Sequence, residues 1–396
     1  MADPSPAAPL PRPPRRILVI KLADLGDALL STPLVRALRD AWPDARLDVL
    51  TTPQAAVAYR YAAAVDGIET IDVHGRHDRP TAGARIARWA AAARQLVALR
   101  RRGYDVVVLC HPLVTRRGAL KHAGVCLAVG APVRAGLAAA GQRRAWFLTH
   151  RAADPGYDGA HVVEAMGAIG AAIGAPATAP RPAFAPGADA EAEADRRLAA
   201  LDGPARPSGR GGPLAGRRIA LHPGAGPYSA ARRWPPAAFA DLARRLSAAG
   251  AALVLVGTAG DDGAAVRAAG GPIDLDLTGA TDVPTLAAVL ARCDLVVAND
   301  GGVAHLAAAV GTPVTAIFGP SNDRAWGPWP PARPAAPSPH RVVALDLPCR
   351  PCLYVGHRLG QPAGCRTRDC LRWLPVERVW TAVLGQLGPA RQDGRG

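Results

Sequence analysis

The segment Asn299-Asp-Gly-Gly-Val-Ala-His305 joins an apolar run to a helical pattern that begins near Val303. Its two glycines let a backbone approach a ligand closely, and the first N–H groups of the following helix have no partner within it. Together with the helix dipole, those amides make a seat for phosphate oxygens. The same residues also suit an ordinary helix start, with Asp300 as cap and Gly301-Gly302 as a tight turn. A second loop repeats the logic. His222-Pro-Gly224-Ala-Gly-Pro-Tyr-Ser229-Ala-Ala-Arg232-Arg233-Trp-Pro places glycines, a hydroxyl and two guanidiniums between a strand and a helix. Either arginine could fork onto phosphate oxygens.

Near the amino end, Lys21-Leu-Ala-Asp24-Leu-Gly26-Asp27 sets a cation and two carboxylates at another such junction. A carboxylate there could take the proton of an attacking hydroxyl within hydrogen-bond reach, and either aspartate could instead cap the helix. His111, next to Cys110 at a strand end, is a candidate substrate contact. His161 stands ahead of an apolar helix, where a histidine can cap or pack. Late in the chain stands Cys349-x2-Cys352-x12-Cys365-x4-Cys370, with His357 between the pairs. The first pair has zinc-site spacing and the second is slightly wide, so a structural four-thiolate zinc site and reduced thiols both stay open.

Positioning these groups takes alternating strands and helices. Apolar runs predict strands at 16–21, 47–50 and 104–109 and helices at 29–41 and 85–102. A second series predicts strands at 218–222, 252–256 and 294–298 and helices at 236–249 and 285–293. Such alternation means a parallel, doubly wound sheet in each half, with ligands outside the carboxyl ends of the strands. The 396 residues suit two domains. The expected order is a Pro-rich tail (1–15), a first domain (16–180), a Pro- and Gly-rich linker (181–216), a second domain (217–375), and a helix with tail (376–396) that packs back on the first domain.

The net charge of +15, from 47 Lys+Arg against 32 Asp+Glu, suits an anionic partner such as a nucleotide, a phosphorylated glycolipid or a membrane surface. Only Lys21 and Lys121 are lysines, and no basic run carries interleaved aromatics, so nucleic acid is not expected. No apolar run reaches the roughly 18 residues of a membrane span, and residues 1–15 lack the apolar centre of a secretory signal. A cytoplasmic location is therefore expected.

In this order the motifs resemble glycosyltransferase family nine, the ADP-heptose heptosyltransferase family of lipopolysaccharide assembly. The resemblance rests on Ile17 to Lys21 with Leu25-Gly26-Asp27 and Thr32-Pro33-Leu34-Val35-Arg36-Ala37-Leu38. It continues in His222-Pro223-Gly224 with Arg233-Trp234-Pro235, and in Asn299 to His305 with Gly311-Thr312-Pro313 and Phe318-Gly319-Pro320. It implies the α/β GT-B fold, two Rossmann-like doubly wound domains facing a central cleft. The implied reaction is inverting transfer of a sugar, with ADP-heptose the family's donor, to a hydroxyl of a lipopolysaccharide core or another glycan. The alternatives are an epimerase or hydrolase on the same frame and a non-catalytic nucleotide-sugar-binding protein.

The resemblance also assigns residues. Asp27 matches the general base, and Asp24 stands where the family usually has a small polar residue. Asp300, the amides of Gly301 and Gly302, and His305 match the donor diphosphate site, with Gly224, Ser229 and Arg233 beside it. Arg232 replaces the family's common phosphate-binding lysine. Lys21, Asp24, His111 and His161 fall on the acceptor side. No catalytic metal or other cofactor is implied, and peripheral association with the inner face of the cell membrane fits the acceptor class.

Overall fold

Ile17 to Lys21 are all buried, so the strand β1 (Arg16–Lys21) has no solvent face; an unbroken apolar run of this kind belongs to a parallel strand covered on both sides. The computed structural model describes residues 10–62, 65–72, 82–178, 180–201, 212–331 and 337–388. The chain divides into two units, Met1–Pro182 with Gly356–Leu359, and Ala183–Val355 with Gly360–Gly396.

In the first unit β1 leads to α1 (Leu25–Ala41), β2 (Arg46–Thr51), α2 (Ala56–Ala62), β3 (Gly67–Thr70), α3 (Ala82–Arg101) and β4 (Val106–Leu109). Then follow α4 (Arg116–Val129), β5 (Val133–Ala138), β6 (His150–Ala153) and α5 (Val162–Ala171). The strands pair in parallel in the order β3-β2-β1-β4-β5-β6. Strand order reverses between β1 and β4, which opens a crevice at their carboxyl ends.

Helix α1 begins four residues before the predicted start, so Gly26 and Asp27 lie in its first turn. It also carries Pro33 in its interior. Proline has no N–H for the carbonyl four residues back. Here the Thr32 hydroxyl donates to that carbonyl, Leu29 O, at 2.7 Å, so the helix continues past the proline with its acceptor satisfied.

The second unit contains α6 (Ala188–Leu198), β7 (Arg218–His222), α7 (Pro236–Ala248), β8 (Ala252–Leu255), α8 (Gly263–Ala268), β9 (Leu275–Asp276) and α9 (Val283–Ala291). Next come β10 (Leu295–Asn299), α10 (Gly302–Ala309), β11 (Val314–Ile317), α11 (Asp323–Trp326) and β12 (Arg341–Val343). The chain then forms β13 (Leu353–Val355) and β14 (Arg358–Gly360), paired as a hairpin whose Gly356–Leu359 are counted with the first unit, before α12 (Asp369–Arg372) and α13 (Val376–Leu387). The order β12-β11-β10-β7-β8-β9 is again parallel. Numbered within its own unit this is the same winding, with the reversal between β7 and β10.

Two expectations about organisation need correction. The stretch read as a linker, 181–216, contains α6, which packs on α9 and is tied to it by Arg292 Nη2 donating to Asp195 Oδ2 at 2.8 Å; residues 202–211 of that stretch lie outside the described ones. The final helix, expected on the first domain, packs on α7, β11 and β12. Its inward residues Val379 and Val383 join the second unit's core with Phe239 and Leu371, which is where an amphipathic helix buries its apolar stripe.

Candidate active site

In the first unit the loop between β1 and α1 is held by three hydrogen bonds from neighbouring strand ends. The Thr51 hydroxyl donates to Lys21 O at 2.8 Å, and the Thr52 hydroxyl to Ala23 O at 2.7 Å. The Leu22 N–H donates to His111 Nε2 at 2.7 Å. As an acceptor, Nε2 carries no proton, so His111 is neutral with its hydrogen on Nδ1. Its ring lies 4.5 Å from that of His122, whose pKa burial lowers to about 4. On this pinned loop the buried Lys21 reaches Asp27, Nζ to Oδ1 3.3 Å, while the Asp27 side chain stays 36% exposed. Asp27 thus combines an anchored oxygen with access for a hydroxyl. Asp24 occupies the N-cap position of α1 without a side-chain capping bond. His161 stands apart in role: its Nδ1 accepts from Val163 N–H at 3.2 Å and Glu164 accepts from His161 N–H at 3.1 Å, a complete capping box for α5.

In the second unit the end of β10 supplies two buried side chains. Asn299 Oδ1 accepts from Trp234 N–H at 3.0 Å and its Nδ2 donates to Pro223 O at 2.6 Å. Asp300 is not a helix cap. Its Oδ2 receives Arg232 Nη1 at 3.2 Å and the Ser321 hydroxyl at 2.5 Å, and α10 has no side-chain cap. The amide of Asp300 is spent on Ile317 O at 3.0 Å, which leaves the first-turn amides of α10, from Gly302 on, as anion donors. Gly301 is extended, φ 175°, and its α-carbon position would bring a side chain to 3.5 Å from Ala225; the loops before α7 and α10 are neighbours. His305 lies buried on α10. Arg232 also donates from Nη2 to Ala225 O at 2.7 Å and lies 5.8 Å from the Tyr228 ring centre.

Two expected donor contacts are engaged elsewhere. The buried Ser229 hydroxyl donates to Pro362 O at 2.6 Å and ties down the cysteine-bearing loop. Arg233 pairs with Asp262 at 3.1 Å and Asp261 at 3.8 Å. Asp261 itself escaped the sequence reading. It sits 3.5 Å from His222 Nε2 and receives the Thr258 N–H at 2.7 Å, and a Cβ on Gly224 would collide with its carboxylate. The glycine is required for that contact. Gly257-Thr-Ala-Gly-Asp261 just after β8 was the available signal, since a carboxylate near the end of the second strand is a recurrent Rossmann feature. Tyr354 was also missed. It holds a left-handed backbone, φ 63°, stacked 6.4 Å from Tyr228; such a conformation in a bulky residue marks strain at functional sites. Its carbonyl accepts from Asn322 Nδ2 at 3.1 Å.

The late cysteines form no disulfide. Cys349 and Cys365 are exposed, Cys352 is half-buried and Cys370 is buried. Among the described residues no three His, Cys, Asp or Glu side chains are grouped to hold a metal ion; the four thiols still act on one another, since burial and the neighbouring Cys352, Cys365 and Cys349 push the Cys370 pKa up to about 11.

Burial pushes the Asp261 carboxyl up, but hydrogen bonds from His222 and Thr258 outweigh it and hold the pKa at about 2. A carboxyl held below its ordinary 3.8 stabilises the fold above that pH and loses its contribution as pH falls through about 2. Asp261→Asn is expected to remove about 2 kcal/mol at neutral pH and to flatten the acid limb of stability. Urea unfolding across the acid range checks this, and an unchanged limb would refute it.

Residues 92–360 match the sequence model of glycosyltransferase family 9 (heptosyltransferase). Lipooligosaccharide heptosyltransferase 2 of Haemophilus influenzae is 38% identical over 111 residues, 26% of this chain and 32% of that protein. Lipopolysaccharide heptosyltransferase 1 of Pseudomonas aeruginosa is 33% identical over 124 residues, 31% and 33% of the two chains. The matched segments span about a third of the length of these relatives. Among solved structures, E. coli ADP-heptose LPS heptosyltransferase II superposes with a TM-score of 0.64 at 21% identity, over 94% of this chain and 98% of that one. The iron-containing dodecameric glycosyltransferase TibC of enterotoxigenic E. coli gives 0.50 at 14% identity, over 94% and 78%. These likenesses show the α/β GT-B fold that the motifs implied. With the family model matched over more than half its length, the chain belongs to glycosyltransferase family 9, the heptosyltransferase family.

Proposed function

We propose that the protein is an inverting glycosyltransferase that moves heptose from ADP-heptose to a hydroxyl of a lipopolysaccharide core or a related glycan. The carrying observation is that each unit of this family member bears one half of the chemistry at its strand-order reversal. The first has the accessible Asp27 anchored by Lys21, and the second has an uncapped helix start beside Arg232. The named relatives support the donor, since one solved structure is of E. coli heptosyltransferase WaaC with ADP-2-deoxy-2-fluoro heptose.

In this reading Asp27 takes the proton of the acceptor hydroxyl as that oxygen attacks the anomeric carbon. The bond to the diphosphate breaks on the opposite face, and the departing charge meets the α10 amides, the helix dipole and Arg232. His305 and Gly224 complete the donor side, Arg233 orders the neighbouring loop through Asp261 and Asp262, and His111 fixes the loop that carries the base. The acceptor is membrane-anchored, and among the described residues no helix is long and apolar enough to cross a membrane. On this reading, contact with the cytoplasmic membrane face is peripheral.

Asp27→Asn is expected to slow transfer by about 10²- to 10⁴-fold while calorimetric binding of ADP-heptose is retained. Turnover at the wild-type rate would remove Asp27 as base. A wild-type protein that binds donor but transfers to no glycan in an acceptor panel would instead favour a non-catalytic binding protein. Because cationic side chains and amides meet the leaving charge, transfer is expected to survive excess EDTA; complete loss would sink metal independence. Structural zinc at Cys349, Cys352, Cys365 and Cys370 is a separate reading, supported by the spacing of the four and by their electrostatic influence on one another. One equivalent in purified protein would support it, and a content far below that would end it.

A further inference from the structure

Among the described residues seven large apolar side chains are exposed, and five of them, Trp89, Val97, Leu120, Leu127 and Trp146, belong to one helical layer of the first unit. That layer consists of α3, α4 and the short turn Arg143–Ala145, packed side by side. Their inner residues share one core, which includes Leu99, Ala123, Cys126 and Ala145. Helix α1 packs instead with α2 and α5, none of which shows a large exposed apolar residue.

The same layer concentrates the charge. Between residues 82 and 151 the sequence has thirteen Arg and Lys against a single acid, Asp105, so this stretch carries twelve of the fifteen net positive charges. The Asp105 carboxylate is engaged with the backbone: its Oδ2 accepts the N–H groups of Arg15 and Arg16 at 2.7 and 2.9 Å. Arg94, Arg101, Arg116, Arg117 and Arg143 are exposed. On α4, Leu120 and Leu127 lie two turns apart on one stripe, with Arg116 one turn before.

We propose that the outer face of α3, α4 and the Trp146 turn docks the protein on an anionic bilayer surface. This deepens the membrane part of the proposed function, yet it stands on surface chemistry independent of the reaction. Charge complementarity selects the occupant. Arginines meet acidic headgroups, each basic residue near the surface being worth about a fivefold gain in partition, while indole rings sit at headgroup depth and the leucines just below. Nucleic acid would use the arginines but gains nothing from exposed Leu120, Leu127 and Val97. The apolar residues are spaced singly among arginines and alanines, which suits reversible contact with lipid.

Flotation of the full chain with phosphatidylcholine vesicles, with and without phosphatidylglycerol, tests the face. Wild-type protein is expected to float with the anionic vesicles alone. Arg116→Glu with Arg117→Glu should lower that partition about twentyfold or more, and Leu120→Ser with Trp146→Ser should lower it about tenfold. Both variants change exposed positions, and retained ADP binding and melting temperature would show them folded with the donor site intact. Equal flotation with both vesicle types, or either folded variant floating like wild type, would overturn the proposal. So would a lipid-free dimer that Leu120→Ser with Trp146→Ser dissociates, because the face would then be covered by a second copy.

Discussion

A side chain at the end of the fourth strand pins the loop that leaves the first strand, and this one device recurs in both units. In the second, the buried Asn299 amide donates to Pro223 O beyond β7 and accepts from Trp234 N–H ahead of α7. In the first, His111 beyond β4 accepts the Leu22 N–H beyond β1. The doubly wound order makes the device necessary. Strand reversal sends the loops after these two strands in opposite directions, so their backbone groups have no ladder partners. Without Asn299 a buried N–H and a buried carbonyl would each be left unsatisfied, at about 1–3 kcal/mol apiece. The crevice a ligand needs would otherwise be its least ordered part.

The charges near these crevices come as pairs. Lys21 faces Asp27, Arg232 faces Asp300, and Arg233 and His222 share Asp261. In the proposed reaction a diphosphate at α10 would share Arg232 with Asp300 and would rely on helix amides for the remainder of its neutralisation. Paired groups hold geometry between turnovers and let the site avoid a bare buried cation, whose desolvation is severe. The large net charge of the chain lies elsewhere, mainly on α3, α4 and the turn beside them. Overall charge and site charge are separate properties here.

That separation also governs what could be read in the sequence. The strands β1, β7 and β10 are unbroken apolar runs, and both their positions and the ligand side of each sheet follow from the pattern. Strand β5 escapes because Arg134 and Gly136 break its apolar run, and the edge strand β6, His-Arg-Ala-Ala, because it is short and polar. Helix α6 was hidden by alanine-rich sequence between proline-rich flanks. At the site, Asp27, Asp300 and Arg232 were legible as residue types beside strand ends. Asp261 had a signal in its place just after β8, but its contact with Gly224 joins two loops far apart in sequence and could not be read from spacing. Ser229 misled for the converse reason: its hydroxyl sits in a glycine-rich loop but is consumed by Pro362, more than a hundred residues away.

Arg232 shows why an arginine in a lysine's place changes the site. A lysine ammonium is one point charge on a flexible stem, and it could meet Asp300 or a phosphate without fixing the loop around it. The guanidinium spans Asp300 with Nη1 and Ala225 O with Nη2, while its plane lies near the Tyr228 ring. Tyr228 in turn stacks with the strained Tyr354, whose carbonyl Asn322 secures. The arginine thereby joins the end of β10, the loop after β7 and the hairpin strand β13 into one wall beside the α10 amides. In the proposed reaction that wall would set the donor's geometry, where a lysine would leave it to the ligand.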